Sequence, residues 1–232
     1  MPPPSSAAGA GDTLAQVAAE VAVCRTCPRL VGWREHVAVE KVARYRQWDY
    51  WGRGVPGFGD PGAHLVIVGL APAAHGANRT GRVFTGDRSG DFLFAALHRC
   101  GYANQPTSTK LGDGLRLTGA FVTAAVKCAP PANKPTPAER EACRPFLHRE
   151  LALLPSTRVL LALGRFGWDV VCSTFGIRPR PMFAHGAEVL LPGGLTLLAS
   201  YHVSQQNTFT GTLTEAMLDD VLHRARAVGA AR

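Results

Sequence analysis

Four of the six cysteines have a spacing that suits ligands of one metal centre. Cys24 and Cys27 form a C-x-x-C pair, which lets two thiolates reach one metal from a tight turn, while Cys128 and Cys143 lie far downstream. Four thiolates suit Zn²⁺ or an iron–sulfur cluster, and the spacing alone does not choose between them. The alternative is a redox-active C-x-x-C, with Cys128 and Cys143 as buried small residues. The other two cysteines fall on apolar helix faces and are expected in the core (Cys100 and Cys172).

A second candidate site is the glycine-containing stretch "GLAPAAHGANRTGRVFTGD", residues 69–87, which follows the apolar run "HLVIVGL". It lacks the Lys-Ser/Thr ending of a phosphate-binding P-loop and the G-x-G-x-x-G of a dinucleotide site. Small residues followed by one aromatic ring and a few polar groups suit a planar heterocycle better than a triphosphate. The groups that carry this interpretation are His75, Asn78, Arg79, Phe84 and Asp87.

The elements that must position these residues alternate between apolar runs and helical patterns. Continuous apolar runs predict strands of a parallel sheet that is covered on both faces. Ligands of such sheets bind at the carboxyl ends of the strands, so we expect the site in loops 71–87, 127–136 and 201–211. The predicted strands are 64–70, 120–126, 158–163 and 195–200, and the predicted helices are 13–23, 34–47, 89–100, 137–154, 164–175 and 212–228.

The length allows one sizeable α/β domain or two small ones, and without a domain-scale linker we expect a single domain over residues 12–232, preceded by a disordered leader over 1–11. The formal charge of +8 comes from 25 basic residues, nearly all of them Arg. Arg pairs bidentately with phosphate, which favours a polyanionic partner, although an Arg-rich and Ala-rich composition can also reflect a GC-rich genome. No apolar run has the length of a membrane span, so a cytoplasmic protein with no membrane partner is expected.

Several motifs in the same order resemble the family-5 (type B) uracil-DNA glycosylases. They are the four cysteines, "GLAPAAHGANRTGRVFTGD", "VKCAPPANKP" and "HVSQQN", and the likeness runs from about Cys24 to the C-terminal helix. The resemblance implies a three-layer α/β/α fold around a four-stranded parallel sheet. It also implies that Cys24, Cys27, Cys128 and Cys143 hold a structural [4Fe–4S] cluster.

The same resemblance implies a monofunctional DNA glycosylase that flips a base out of the helix and hydrolyses its N-glycosidic bond. Phe84 would stack on the base, His202 would approach the base O2, and Asp87 would activate water or stabilise the sugar cation. Asn133 would be aimed at the sugar, the water or the base. The substrate pocket would be completed by Gly69, Ala71, Ala73, Ala124 and Ser204.

Each of these roles has a structural alternative. Phe84 could be a core aromatic, Asp87 a helix cap, Asn133 a turn residue between prolines, and His202 a satisfied hydrogen-bonding residue. Phosphate contacts are expected from Ser204, Arg79, Lys127 and Lys134.

The sequence also departs from the family pattern. His202-Val203-Ser204 replaces the usual His-Pro-Ser, and no Leu wedge follows it, which leaves Gln205, Gln206 or Phe209 to fill the gap left by a flipped base. Ala124 and Ala125 fall where related enzymes carry an Asn that reads uracil. We therefore expect other substrates, namely hypoxanthine, ethenocytosine and 5-hydroxymethyluracil.

The expected setting is base excision repair by a monomer associated with the nucleoid. Two rival functions remain at this stage. One is a non-catalytic protein that binds uracil-DNA or damaged DNA, and the other is a structural zinc protein that binds nucleic acid through its charge.

Overall fold

A computed structural model describes residues 11–230 of the chain. The leader predicted over 1–11 therefore lies, apart from Gly11, outside the described residues. Among the described residues, no helix combines the length and the apolar character needed to cross a membrane.

The centre of the molecule is one mixed sheet in the order β1-β3-β2-β4-β6-β5. The four inner strands are parallel: β2 (Leu65–Gly69), β3 (Ala120–Ala124), β4 (Val159–Leu163) and β6 (Thr196–Ser200). The two edge strands, β1 (Phe58–Gly59) and β5 (Glu188–Leu190), are short and antiparallel. The α/β class and the four parallel strands agree with the prediction, whereas the expected strand total of four is too low. The edge strands were missed because two or three residues carry too little periodicity to be recognised.

Every residue of the four parallel strands is buried, which explains why each reads as a continuous apolar run. Successive side chains nevertheless enter different cores, because strand side chains alternate between faces. Leu65 and Ile67 join the core beneath α4 (Arg88–Arg99) and α8 (Glu215–Ala230). Val66 and Val68 join the core beneath α5 (Pro137–Ala152) and α6 (Gly164–Thr174). The result is the three-layer α/β/α arrangement that was predicted.

Two N-terminal helices, α1 (Leu14–Val23) and α2 (Pro28–Glu40), are joined by the C-x-x-C turn. Pro28 begins α2 directly after Cys27, where a missing N–H costs nothing. The predicted helix 34–47 starts six residues later than α2 does. The prediction followed the charge pattern and did not use Pro28, which is a signal for the start of a helix. Two short helices complete the fold near the carboxyl edge of the sheet, α3 (Ala77–Thr80) and α7 (Gln205–Phe209).

Candidate active site

A cavity of about 600 Å³ opens at the carboxyl ends of the parallel strands. Residues that end or follow all four of these strands line it, as expected for a ligand site of a parallel sheet. Of the residues that the resemblance assigns to catalysis or to the substrate pocket, all except Gly69 are on its wall, whereas His75, Asn78 and Arg79 of the glycine-containing stretch are not. The wall contains Leu70, Ala71, Pro72, Ala73, Val83, Phe84, Asp87, Ser89, Ala124, Asn133, Leu163, Gly164, Arg165, Phe166, His202, Ser204, Gln205 and Gln206.

Phe84 presents its ring to the cavity from a left-handed backbone conformation. Its φ of 49° is rare for a bulky residue and marks strain of the kind that clusters at functional sites. Two glycines make this placement possible. A Cβ on Gly69 would lie 2.6 Å from the Phe84 ring, and a Cβ on Gly90 would lie 1.8 Å from the Phe84 carbonyl oxygen. Gly69 thus contributes to the site indirectly, by leaving room for the ring.

Asp87 is both a helix cap and a wall residue of the cavity. Its Oδ1 accepts the backbone N–H of Gly90 at 3.0 Å, which caps the start of α4. The other oxygen, Oδ2, accepts no hydrogen bond from the described residues and packs against Gly76, where a Cβ would lie 2.1 Å away. The two interpretations of Asp87 are therefore compatible in the geometry, because one oxygen caps the helix and the other is free for a ligand.

His202 follows β6 and faces the Phe84 ring, with the two ring centroids 6.3 Å apart. Its backbone carbonyl accepts the side-chain N–H of Asn207 at 2.8 Å, which fixes the turn after the strand. Neither ring nitrogen has a hydrogen-bond partner among the described residues, so both are available to a ligand. Burial lowers the pKa of His202 below its usual 6.5, which favours the neutral imidazole at neutral pH.

Asn133 lies on a second strained turn, between the sheet and α5. Ala132 and Asn133 are both left-handed, with φ values of 52° and 55°. Asn tolerates this conformation better than most residues, so the turn interpretation also holds. The side chain is exposed and on the cavity wall, where it can reach a bound ligand.

The small residues and Ser204 shape the rest of the wall. Ala73 has its carbonyl engaged by the N–H groups of Gly76 and Asn78, at 3.2 and 3.0 Å. Ala71 and Ala124 present only methyl groups, so neither places a hydrogen-bonding side chain in the cavity. Ser204 caps α7 by accepting the N–H of Asn207 at 3.4 Å.

The strand-end loop after β4 supplies wall residues that the sequence interpretation missed. Gly164, Arg165 and Phe166 begin α6, and Arg165 is 81% exposed at its side chain. Phe166 stacks with the guanidinium of Arg140 at 5.4 Å. These residues could have been predicted from the sequence, because the loops after all parallel strands lie at the same edge of the sheet. The sequence analysis considered only three of the four loops.

Two of the expected phosphate contacts are wrong. Arg79 is 3% exposed and Lys127 is 1% exposed, so neither can reach a DNA backbone. Lys127 donates to Glu150 at 2.6 Å and to Thr123 at 2.5 Å. The prediction assumed that basic residues in a loop face solvent. Arg79 and Lys127 are instead buried and hydrogen-bonded within the protein.

The four predicted metal-ligating cysteines, Cys24, Cys27, Cys128 and Cys143, line one small cavity together with apolar side chains of α2 and α5. Donors already point at two of the sulfur atoms. Arg34, itself buried, donates to Cys128 Sγ at 2.9 Å, and the backbone N–H of Lys127 donates to Cys143 Sγ at 3.2 Å. Burial raises the pKa of the Cys143 thiol to about 12, so its thiolate needs a positive partner. By contrast, Cys100 and Cys172 are buried in the two main cores, as expected.

The cysteine sulfurs are not drawn tightly around one point. Among residues 11–230, no group of three or more His, Cys, Asp or Glu side chains is close enough to hold a single metal ion. Four thiolates suit Zn²⁺ or an iron–sulfur cluster, and the arrangement of the four cysteines does not choose between the two.

Comparisons with known proteins identify relatives over most of the chain. The sequence model of the uracil DNA glycosylase superfamily matches residues 56–226. The chain is 55% identical over 204 residues to a type-5 uracil-DNA glycosylase of Thermus thermophilus, covering 88% of this chain and 92% of the relative. It is 52% identical over 222 residues to a type-5 uracil-DNA glycosylase of Mycobacterium tuberculosis, covering 94% and 83%. It is 35% identical over 125 residues to a type-4 uracil-DNA glycosylase of Pyrobaculum aerophilum, covering 53% and 56%.

The four inner parallel strands with a cavity at their carboxyl ends, together with a family model that matches residues 56–226, define the class of protein. The chain belongs to the uracil-DNA glycosylase superfamily. Within it, the identities of 52–55% over most of the chain are to type-5 members, which is the family named by the motifs. The resemblance is confirmed, and the expectation of a DNA glycosylase is confirmed at the level of the family.

Proposed function

We propose that this protein excises uracil from DNA by hydrolysing the N-glycosidic bond, as the first step of base excision repair. The observation that carries the proposal is the convergence of Phe84, Asp87 and His202 on one cavity of about 600 Å³. One aromatic face, one free carboxylate oxygen and one neutral imidazole are the groups that cleavage of a base from a sugar needs. The names of the type-5 relatives support the same reaction.

The flipped base stacks on Phe84 inside the cavity. As the bond lengthens, negative charge develops on the base and positive charge on the sugar. His202, neutral because burial lowers its pKa, donates a hydrogen bond to the departing base through a ring N–H. The free Oδ2 of Asp87 stabilises the sugar cation and orients the attacking water. Asn133 supplies a further amide at the rim, beside the sugar or the water.

The range of bases that the protein excises depends on which hydrogen-bonding side chains are missing from the cavity wall. Position 124 carries a methyl group where an amide would read the uracil edge, and Ala71 and Ala73 leave the neighbouring wall smooth. A pocket discriminates strongly between bases only when it contains buried polar groups that the wrong base leaves unpaired. We therefore include hypoxanthine, ethenocytosine and 5-hydroxymethyluracil among the substrates.

DNA is held through its backbone. The net charge of +8 favours nonspecific attraction to a polyanion. Lys134, which follows the wall residue Asn133, and the wall residue Arg165 are exposed, and we assign them to phosphate contacts together with Ser204. Action as a monomer on nucleoid DNA in the cytoplasm is part of the same proposal.

Cys24, Cys27, Cys128 and Cys143 fit a [4Fe–4S] cluster. Their shared cavity and the N–H donors to two sulfurs support a site for such a group, and the resemblance of the motifs to the type-5 family favours a cluster over a single ion. A cluster there would supply cross-linking between α2, α5 and the strand-end loop after β3, and no chemistry at the base.

The test of the reaction is a single-turnover assay on a duplex with one uracil opposite guanine. Release of free uracil together with an alkali-labile site is expected, and the matched duplex with cytosine should stay intact. Binding of the uracil duplex with no release would contradict the proposal and make the protein a binding module.

The test of breadth is competition between duplexes that differ only in the target base. We expect release of hypoxanthine and 5-hydroxymethyluracil at rates within about 100-fold of uracil, the discrimination available to a pocket that lacks matching polar groups. Ala124→Asn adds an amide that can hydrogen-bond to uracil. We expect this variant to excise the other bases more slowly relative to uracil than the wild type does. Activity on uracil alone in the wild type would contradict the breadth while leaving uracil excision intact.

A further inference from the structure

We propose that Arg79 is a positioning residue that holds both ends of the cavity loop and thereby places Asp87. This inference rests on the function proposed for the cavity. Arg79 Nε donates to the carbonyl of His75 at 2.8 Å, and Arg79 Nη2 donates to the carbonyl of Gly86 at 2.7 Å. One guanidinium therefore joins two backbone positions on either side of the segment that carries Phe84.

The residues that follow these two carbonyls are the ones in contact at the site. Gly76 follows His75, Asp87 follows Gly86, and Asp87 Oδ2 packs directly against Gly76. Fixing the two carbonyls thus fixes the distance between Gly76 and the carboxylate. Asp87 Oδ1 is already held by the cap to Gly90, so the bridge controls where the free oxygen points.

Only a guanidinium at position 79 fits this bridge. Its donors form a rigid planar fork, whereas Lys offers a point charge on a flexible stem. The backbone is shaped to receive the fork, because Gly86 has φ +83° and a Cβ there would lie 2.5 Å from Arg79 Nη2. A side chain at residue 86 would displace the guanidinium.

A separate segment, residues 45–51, holds the guanidinium of Arg79 in place. Its central carbon lies 3.8 Å from the ring centroid of Tyr45 and 4.1 Å from that of Trp48, which are cation–π distances. The same segment pairs with the α3 backbone, since the N–H of Trp51 donates to the Arg79 carbonyl at 2.9 Å. None of these three aromatic residues is on the cavity wall, and Tyr45 and Trp48 contact the cavity loop at the Arg79 guanidinium.

Stability alone does not account for a cation here. Among the described residues no carboxylate lies within ion-pair distance of Arg79, and its Nη1 is buried without a hydrogen-bond partner. Burying a charge without a counter-ion is costly, and an apolar side chain of similar volume is often as stable. A requirement for the fork at this position explains why the cost is tolerated.

The experiment compares Arg79→Lys and Arg79→Met with the wild type in two assays at a temperature where all are folded. Single-turnover excision reports the placement of Asp87, and binding of a duplex with an uncleavable abasic analogue reports DNA affinity. We expect excision to slow by about 10- to 100-fold, the scale of a misplaced catalytic group, while the Kd changes by less than about threefold. The control is Arg149→Met, which removes the ion pairs of Arg149 with Asp12 and Glu20 and lowers stability without slowing excision.

Trp48→Leu keeps the proposal testable if both Arg79 variants fail to fold. Trp48 is only half-buried, and its loss loosens the guanidinium without removing a donor. Excision should slow by about threefold or more, against an unchanged Kd, because one of the two cation–π contacts of the guanidinium is lost. Wild-type excision rates in folded Arg79→Lys and Trp48→Leu would overturn the inference. Absence of excision by the wild type would instead refute the proposed function.

Discussion

The ring of Phe84 occupies the space that a side chain at position 69 would fill. A Cβ on Gly69 would lie 2.6 and 2.7 Å from two of its ring carbons. The last residue of a buried strand and the stacking surface of the cavity are therefore linked by direct contact, although fifteen positions separate them in the sequence.

This contact predicts that Gly69→Ala impairs excision by displacing the Phe84 ring. The backbone at residue 69 suits an L side chain, so the ring must yield. Excision should fall by about tenfold or more, since small displacements at a reacting group are costly. Single-turnover rates check this, with Gly32→Ala as control, because a Cβ at Gly32 in α2 meets nothing within 4 Å. Equal rates for Gly69→Ala and the wild type would show that stacking on Phe84 does not limit the reaction.

The cysteine group predicts the metal content. Purified wild type should contain about four iron and four sulfide per chain, as a [4Fe–4S] cluster requires. Cys128→Ala should lose most of both and unfold at a lower temperature. Cys100→Ala, at a buried cysteine of the core beneath α4 and α8, should keep both. One zinc per chain and no sulfide would contradict the cluster.

The buried pair of Lys127 and Glu150 predicts a large loss of stability on breaking it. Both side chains are 2% exposed, and Glu150 also accepts the N–H of Gly57 and the hydroxyl of Thr123. Lys127→Met leaves the carboxylate buried without its cation, which should lower the free energy of unfolding by about 3–5 kcal/mol. Adding Glu150→Gln should recover part of this loss, as measured by urea unfolding. A single variant that is destabilised by less than the double variant would contradict this account.

Burial of His202 predicts a pH-dependent contribution to stability. Its folded pKa lies below the unfolded value near 6.5, so acid protonates the unfolded state first. The contribution is complete above pH 6.5 and is lost as pH falls through 6.5 toward the lowered value. His202→Gln cannot titrate, so its free energy of unfolding should fall less between pH 7.5 and 5.5. Urea unfolding at both pH values checks this, and an equal fall in both proteins would show that His202 is not buried as described.

The central fold and most of the site were predictable because they depend on local patterns. Four continuous apolar runs predicted the four parallel strands, and the rule for carboxyl ends brought Asp87, Asn133 and His202 to one edge. The cysteine spacing predicted one metal site for four thiolates, and the four cysteines line one cavity. These features need no knowledge of which side chains touch.

What could not be predicted depends on long-range packing. Arg79 and Lys127 looked like solvent-facing cations, but aromatic rings of residues 45–48 enclose one and Glu150 pairs with the other. The role of Gly69 required the position of Phe84, fifteen residues away. Residues 58–59 form an edge strand only because β3 is beside them.

The most direct test of the central claim is single-turnover uracil excision by Asp87→Asn. Asn caps a helix about as well as Asp, so Oδ1 keeps its bond to Gly90 while the charge on the free oxygen is lost. The account predicts an unfolding temperature close to that of the wild type and excision slowed by about 100-fold or more, the scale of losing one group that stabilises charge in the transition state. Excision at the wild-type rate in a fully folded Asp87→Asn protein would reduce Asp87 to a helix cap and contradict its assignment as the carboxylate of the reaction.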